Sequence, residues 1–184
     1  NDGGYLFRNV PDDEIQSIAA AHYLRNLREP PVDSITVLYE NTEYGKGLLD
    51  GVEKAFTTLG GTVTRKVAYH ESLTKPELSD KTPAEVVNDL ASSNPTMTVL
   101  IAFEENAIAL TKAWADSGKV PAMQWLFTDG TRSGGFLRAD STARVLGMCG
   151  TAATYPVNGL AYAALNDAYA RSYANDPDPD ASDL

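Results

Sequence analysis

Residues 35–39 read Ile-Thr-Val-Leu-Tyr, a short β-branched and largely apolar run. Such a run predicts a strand that is buried on both faces, which is typical of a parallel sheet. Apolar residues at helical spacing come next: Leu48, Val52, Ala55, Phe56 and Leu59. Gly60-Gly61 then supplies the residues that commonly end a helix in the left-handed conformation. The stretch from 35 to 61 therefore predicts one strand–helix unit of an α/β sheet.

A helix is predicted before this unit, from Asp12 to Arg28. Asp13 and Gln16 have the spacing of a capping box at its start, and Pro30-Pro31 ends it. Its expected packing face is an apolar stripe: Ile15, Ile18, Ala19, Tyr23 and Leu27. The first strand is thus expected to have a helix on either side of it in the sequence.

The alternation of strand and helix patterns continues along the chain. Four more strands are predicted: Thr62–Tyr69, Val99–Phe103, Gln124–Thr128 and Val145–Cys149. The remaining helical patterns are one that begins at Thr82-Pro83-Ala84-Glu85 with Thr82 as N-cap, one over Ala107–Trp114, and one through Tyr162, Leu165, Tyr169 and Tyr173. This order predicts a doubly wound, mostly parallel sheet with helices on both faces. We expect residues 1–174 to form this unit and the acidic tail 175–184 to fray.

Composition limits the class of protein. The 184 residues, of which 43% are hydrophobic, suit one compact domain, and the net charge of −10 opposes binding to nucleic acid or to an anionic membrane. No apolar run approaches the roughly 20 residues that span a bilayer. Cys149 is the single cysteine, which excludes an internal disulfide and a cysteine-based zinc site. Its apolar neighbours predict a buried structural thiol.

The motifs that would support catalysis or cofactor binding are incomplete. Gly45-Lys46-Gly47 with Gly51 differs from the dinucleotide fingerprint, because five residues separate it from the strand and Gly51 comes one place late. Ser133 lacks the glycine two residues before it that a nucleophile elbow needs. His22 and His70 are the two histidines, and neither has a second histidine at metal-ligand spacing. We therefore predict that the protein is not an enzyme and uses no metal or cofactor.

Ligands of a parallel sheet bind beyond the carboxyl ends of its strands, so the loops after the strands are where a site is expected. Glu104 and Glu105 follow one predicted strand. They form either a solvated acidic turn or a ligand-facing loop; an acid–base pair is disfavoured because adjacent side chains at a strand end usually diverge. Asp129-Gly130 follows the next strand and is a turn signal at a position suited to a ligand loop.

Four segments, taken in order, carry a resemblance to a known family: Tyr5-Leu6-Phe7-Arg8-Asn9-Val10-Pro11-Asp12-Asp13 with Gln16, Val37-Leu38-Tyr39-Glu40-Asn41-Thr42-Glu43-Tyr44-Gly45-Lys46-Gly47, Trp125-Leu126-Phe127-Thr128-Asp129-Gly130, and Leu146-Gly147-Met148-Cys149-Gly150-Thr151. The sequence resembles the hydrophobic-amino-acid family of type I periplasmic binding proteins, the solute receptors of ABC importers. The order and spacing of the segments match the second lobe of that family over nearly the whole chain.

The resemblance implies a protein of two α/β lobes that encloses a small solute, an amino acid or an analogue, in the cleft between them. It implies that the N-terminal lobe and the final crossover are absent from this chain. It also implies a membrane permease as partner and a periplasmic or other extracytoplasmic location. A sensory ectodomain or a regulator of the same fold is the alternative.

The resemblance further implies which residues contact the solute: Tyr44, Phe103, Glu104, Glu105, Asn106 and Asp129. Asn106 matches the position where amino-acid receptors carry an acid that pairs with the ligand ammonium. Either Glu105 serves instead, or the ligand is not a simple α-amino acid. Asp13 matches an aspartate of the family, and helix capping also explains it.

Overall fold

The computed structural model describes residues 12–119, 123–139 and 148–152, together with Asp167, and residues up to 152 belong to one compact unit, Asn1–Ala153. The described residues contain five strands: β1 (Ser34–Glu40), β2 (Thr62–Tyr69), β3 (Met97–Ile101), β4 (Gln124–Phe127) and β5 (Cys149–Gly150). They form one sheet in the order β2-β1-β3-β4-β5, and every pairing is parallel. The predicted parallel α/β sheet is confirmed.

Helices cover both faces of this sheet. They are α1 (Asp13–His22), continued by a π-helical turn (Tyr23–Leu27), α2 (Glu43–Thr58), α3 (Pro83–Ala91), α4 (Glu104–Ser117) and the short α5 (Gly134–Arg138). Because successive residues of a strand point to opposite faces, Val37 packs in the core beneath α1 and α2, whereas Leu38 packs in the core beneath α3 and α4. The run at 35–39 is therefore largely apolar because both of its faces are covered.

Polar side chains fix where the helices begin. Thr42 Oγ1 accepts a hydrogen bond from the Gly45 amide at 3.2 Å at the start of α2. Thr82 and Glu85 form the predicted capping box at the start of α3. Ser133, which the sequence raised as a possible nucleophile, is the N-cap of α5, and its Oγ accepts from the Phe136 amide at 3.0 Å.

The predicted packing face of the first helix is wrong. Ile15 and Leu27 are 56% and 73% exposed, and Ile18 is exposed as well. The buried residues of this segment are small or lie on the other side: Ser17, Ala20, Ala21 and Leu24. The cause is the close approach of α1 to α2, where a Cβ on Gly51 would collide with the side chain of Ser17. A large branched side chain does not fit in so narrow a space.

The predicted cap of this helix is also corrected. Asp12 is the N-cap, because its Oδ1 accepts from the Ile15 amide at 3.0 Å, and Asp13 is the first helical residue. The side chain of Gln16 does not return to the cap and contacts the far end of the sheet instead.

The prediction of a buried thiol is wrong, because Cys149 is exposed. It lies on β5, which pairs with β4 at the end of the described strand order, and its Sγ accepts a 3.0 Å hydrogen bond from the Tyr23 hydroxyl. The remainder of the predicted fifth strand, 145–147, lies outside the described residues, as do the aromatic helical pattern and the acidic tail. Within the described residues, no helix is long and apolar enough to cross a membrane.

Candidate functional site

The parallel sheet brings the ends of its strands to one edge. The segments that follow β1, β3, β4 and β5 carry Tyr44, Phe103, Asp129 and Thr151, respectively. Since β1, β3 and β4 are successive neighbours, the first three of these side chains meet although 85 residues of sequence separate Tyr44 from Asp129. This edge is where ligands of parallel sheets bind.

Tyr44 is the centre of this group. Its ring stacks on Phe103, with ring centroids 4.9 Å apart and planes inclined by 27°. Its hydroxyl donates to Asp129 Oδ1 at 2.9 Å and lies 3.4 Å from Thr128 Oγ1. Burial raises the pKa of the Tyr44 phenol, and the negative charge of Asp129 raises it further. The phenol therefore remains protonated and acts as a hydrogen-bond donor.

Phe103 leaves an aromatic surface open at this edge. The residue is the N-cap of α4 rather than the end of a strand, and it is 51% exposed although it stacks on Tyr44. Gly130 packs closely against this segment: a Cβ on Gly130 would collide with the carbonyl oxygen of Ala102 and would lie 3.1 Å from Cδ1 of Phe103. An exposed ring beside a carboxylate offers an apolar contact surface next to a hydrogen-bond acceptor.

Gln16 also holds Asp129 in place. Its Nε2 donates to Asp129 Oδ1 at 3.1 Å and lies 3.1 Å from the carbonyl oxygen and 3.3 Å from Oγ1 of Thr151. The sequence pattern around Gln16 indicated a capping box and not this role, although the residue stands within the family pattern. Both donors to Asp129 use Oδ1, so Oδ2 accepts no hydrogen bond from a described residue.

Asn106, which the resemblance placed among the ligand contacts, is a buried residue. It is 5% exposed, and its Nδ2 donates to the Glu71 carbonyl oxygen at 2.7 Å and to Glu40 Oε2 at 3.3 Å. Its amide hydrogens thus connect the start of α4 to the ends of β1 and β2. Burial raises the pKa of the Glu40 carboxyl; the Asn106 hydrogen bond opposes this rise and the charge of Glu71 adds to it. Sequence reasoning did not single out Glu40.

The two adjacent carboxylates have different neighbours. Glu105 accepts a hydrogen bond from Thr74 Oγ1 in the loop between β2 and α3. Glu104 lies against α5, where a Cβ on Gly135 would collide with its carboxylate. The two side chains diverge, as expected for adjacent residues at the end of a strand. In the part of the chain that the structure describes, no group of three or more His, Cys, Asp or Glu residues could hold a metal ion.

The sequence profile of the periplasmic binding protein family matches residues 1–184. The chain belongs to this family. Solved structures of periplasmic binding proteins share its fold. One is the leucine binding protein LivK from Thermotoga maritima MSB8, with 18% identity and a TM-score of 0.67 over 90% of this chain and 44% of that one. Another is a fatty acid ABC transporter substrate-binding protein from Thermomonospora curvata, with 20% identity and a TM-score of 0.66 over 94% and 43%.

A third solved relative contains a bound ligand. It is a solute binding protein of an ABC transporter from Rhodopseudomonas palustris BisB5 in complex with 3,4-dihydroxy benzoic acid, with 13% identity and a TM-score of 0.57 over 88% of this chain and 41% of that one. This chain therefore spans less than half the length of these solved relatives. No curated protein matches it.

Proposed function

We propose that this chain forms one wall of the cleft of an extracytoplasmic solute-binding protein that delivers an amino acid or a related small polar solute to the permease of an ABC importer. The observation that carries the proposal is the group of Tyr44, Gln16 and Asp129, in which two donors hold Oδ1 of the carboxylate and no described residue donates to Oδ2. The exposed ring of Phe103 stands beside it.

Each residue has a distinct role in this proposal. Asp129 Oδ2 accepts a hydrogen bond from an ammonium or hydroxyl group of the solute, a bond that strengthens when a second lobe closes and excludes water. Phe103 covers an apolar part of the solute, and Tyr44 supports both neighbours without giving up its proton. Glu104, Glu105 and Asn106 form the rim and the floor of the same edge.

The relatives support transport and leave the solute open. Their names refer to leucine, to fatty acid and to a complex with 3,4-dihydroxy benzoic acid. The second and the third are named as proteins of an ABC transporter. These descriptions favour an importer component over a sensory ectodomain. Because these 184 residues span less than half the length of the relatives, we expect them to bind solute weakly by themselves.

A thermal-shift screen of the two-lobe protein against amino acids, amides and small aromatic acids tests the proposal. A true solute raises the melting temperature, because it binds the folded state. Asp129→Asn is expected to weaken binding by about 10–100-fold, through loss of a charge-assisted hydrogen bond. Asp50→Asn on the exposed side of α2 is the control and leaves binding unchanged. Failure of every solute to shift the melting temperature would contradict the proposal.

A further inference from the structure

A second carboxylate lies at the same edge of the sheet, on its other face. Glu40 is the last residue of β1 and is 3% exposed. It points to the same face as Leu38, beneath α3 and α4, whereas Tyr44 packs against the core beneath α1 and α2. Glu40 and the Tyr44–Asp129 group therefore flank the sheet edge from opposite sides.

The carboxylate of Glu40 has few partners for a charged group so deeply buried. Its one hydrogen bond from a described residue comes from Asn106 to Oε2, at 3.3 Å. Among the ion pairs of the described residues, none includes Glu40. The nearby ionisable groups are Glu71, which adds negative charge, the exposed His70 and the buried phenol of Tyr69.

One oxygen of Glu40 remains open to solvent. Among the described residues, the buried side-chain nitrogen or oxygen without a hydrogen-bond partner is Trp125 Nε1. Glu40 Oε1 also accepts no hydrogen bond from these residues. It is not one of the fully buried atoms without a partner, because solvent reaches it. A nine-tenths buried carboxylate thus presents one unsatisfied oxygen at the edge where the solute is proposed to bind.

A buried carboxylate without a cation is unfavourable, because loss of hydration is not repaid. We propose that Glu40 receives a second cationic group of the solute, an ammonium or guanidinium at the end of a side chain. This inference rests on the proposed solute-binding function and names its substrate class: solutes with the charge pattern of lysine, arginine or a diamine. The solute's α-ammonium then lies at Asp129.

The spacing of the two acids suits such a solute. Strands β1 and β4 are separated by β3, and adjacent strands lie about 4.8 Å apart, so Glu40 and Asp129 follow strands roughly 10 Å apart. An extended lysine or arginine, with one hydrogen bond at each end, bridges this span. The apolar stem of its side chain crosses the ring of Phe103, which follows the strand between them.

Calorimetry on the two-lobe protein with matched solutes tests the inference. Arginine is compared with citrulline and lysine with norleucine, pairs of similar length that differ in the terminal charge. We expect each cationic member to bind at least about tenfold more tightly, the usual contribution of one charge-assisted bond. Equal or tighter binding of citrulline and norleucine would overturn the cationic subsite.

Two variants locate the effect. Glu40→Gln keeps the shape of the side chain and is expected to remove most of the preference for arginine over citrulline. Glu43→Gln makes the same charge change on an exposed residue at the same edge and is expected to preserve it. A preference that survives Glu40→Gln contradicts the assignment, and the comparison of solutes on the unaltered protein stands even if this variant folds poorly.

The two proposals fail in different ways. If solutes bind without regard to terminal charge, the cationic subsite is wrong and the solute-binding function stands. If no solute of any class binds the two-lobe protein, the proposed function is wrong, and the subsite is wrong with it.

Discussion

The hydroxyl of Tyr44 donates a 2.9 Å hydrogen bond to Oδ1 of Asp129. The two residues follow β1 and β4, and the end of β3 lies between these strands. Tyr44 belongs to the first turn of α2, and Asp129 follows β4. The bond occupies Oδ1, and Oδ2 accepts no hydrogen bond from a described residue.

Tyr44→Phe keeps the ring that stacks on Phe103 and removes the donor to Asp129. We expect solute affinity to fall by about 5–20-fold, which corresponds to one hydrogen bond of about 1–2 kcal/mol. Calorimetry on the two-lobe protein measures the change. Tyr23→Phe is the matched control, because its hydroxyl contacts Cys149 outside the site, and its affinity should equal that of the unaltered protein. Equal losses in both variants would show that Tyr44 has no special role.

Gln16→Leu removes the side chain that connects α1 to Asp129 and Thr151. The expected result is a loss of about 1–2 kcal/mol in the free energy of unfolding, together with weaker solute binding, because partly buried acceptors lose their donor. Urea denaturation and calorimetry measure the two effects. Glu14→Ala, on the exposed side of the same helical turn, should change stability by no more than about 0.5 kcal/mol. An unchanged affinity in Gln16→Leu would exclude a positioning role.

Gly45 and Gly47 offer a matched pair in the first turn of α2. A Cβ on Gly45 would collide with the carbonyl oxygen of Glu40, whereas a Cβ on Gly47 meets no atom within 4 Å. Gly45→Ala is expected to destabilise the protein by about 1–3 kcal/mol, as overpacking does. Gly47→Ala should stabilise it by up to about 1 kcal/mol, because alanine favours the helix. Urea denaturation of both variants checks the opposite signs.

Glu40→Gln is expected to change stability in a pH-dependent way. The folded protein raises the pKa of Glu40, chiefly through burial. The contribution of this carboxyl is therefore full below its unfolded pKa of about 4.3 and is lost as pH rises through the higher folded pKa. At pH 8 the ionised group is a cost, so the glutamine variant should be more stable by about 0.5–2 kcal/mol.

Denaturant midpoints of Glu40→Gln at pH 4 and pH 8 measure this difference. The gain in stability of Glu40→Gln over the unaltered protein should shrink towards pH 4, where the carboxyl of Glu40 is protonated and neutral like the amide. Glu43→Gln is the control at pH 8, where it should lack the gain in stability because Glu43 is exposed. A gain for Glu40→Gln that does not depend on pH would contradict the argument.

Local patterns predicted much of the fold and part of the site. The strand at 35–39, the cap at Thr82 and the alternation of elements depend on neighbours a few residues apart, and the structure agrees with them. Tyr44, Phe103 and Asp129 were predicted as site residues from the family resemblance, and the structure brings them into contact. Whether they bind a solute stays a prediction.

Other features depend on residues far away in the sequence. Gln16 contacts partners 113 and 135 positions along the chain, so its own neighbours indicated only a capping role. The packing face of α1 was mispredicted because periodicity marks an apolar stripe but not the width of the space it must fill. At Gly51 that space admits only small side chains.

The sequence by itself determined a parallel α/β sheet with its ligand edge after the strands, because hydrophobic periodicity is a local property of the chain. Only the tertiary structure decided which oxygen of Asp129 accepts from Tyr44 and that Glu40 is buried beside Asn106. The burial and hydrogen bonding of a carboxylate depend on the groups that surround it in space, and these come from strands and helices distant in sequence.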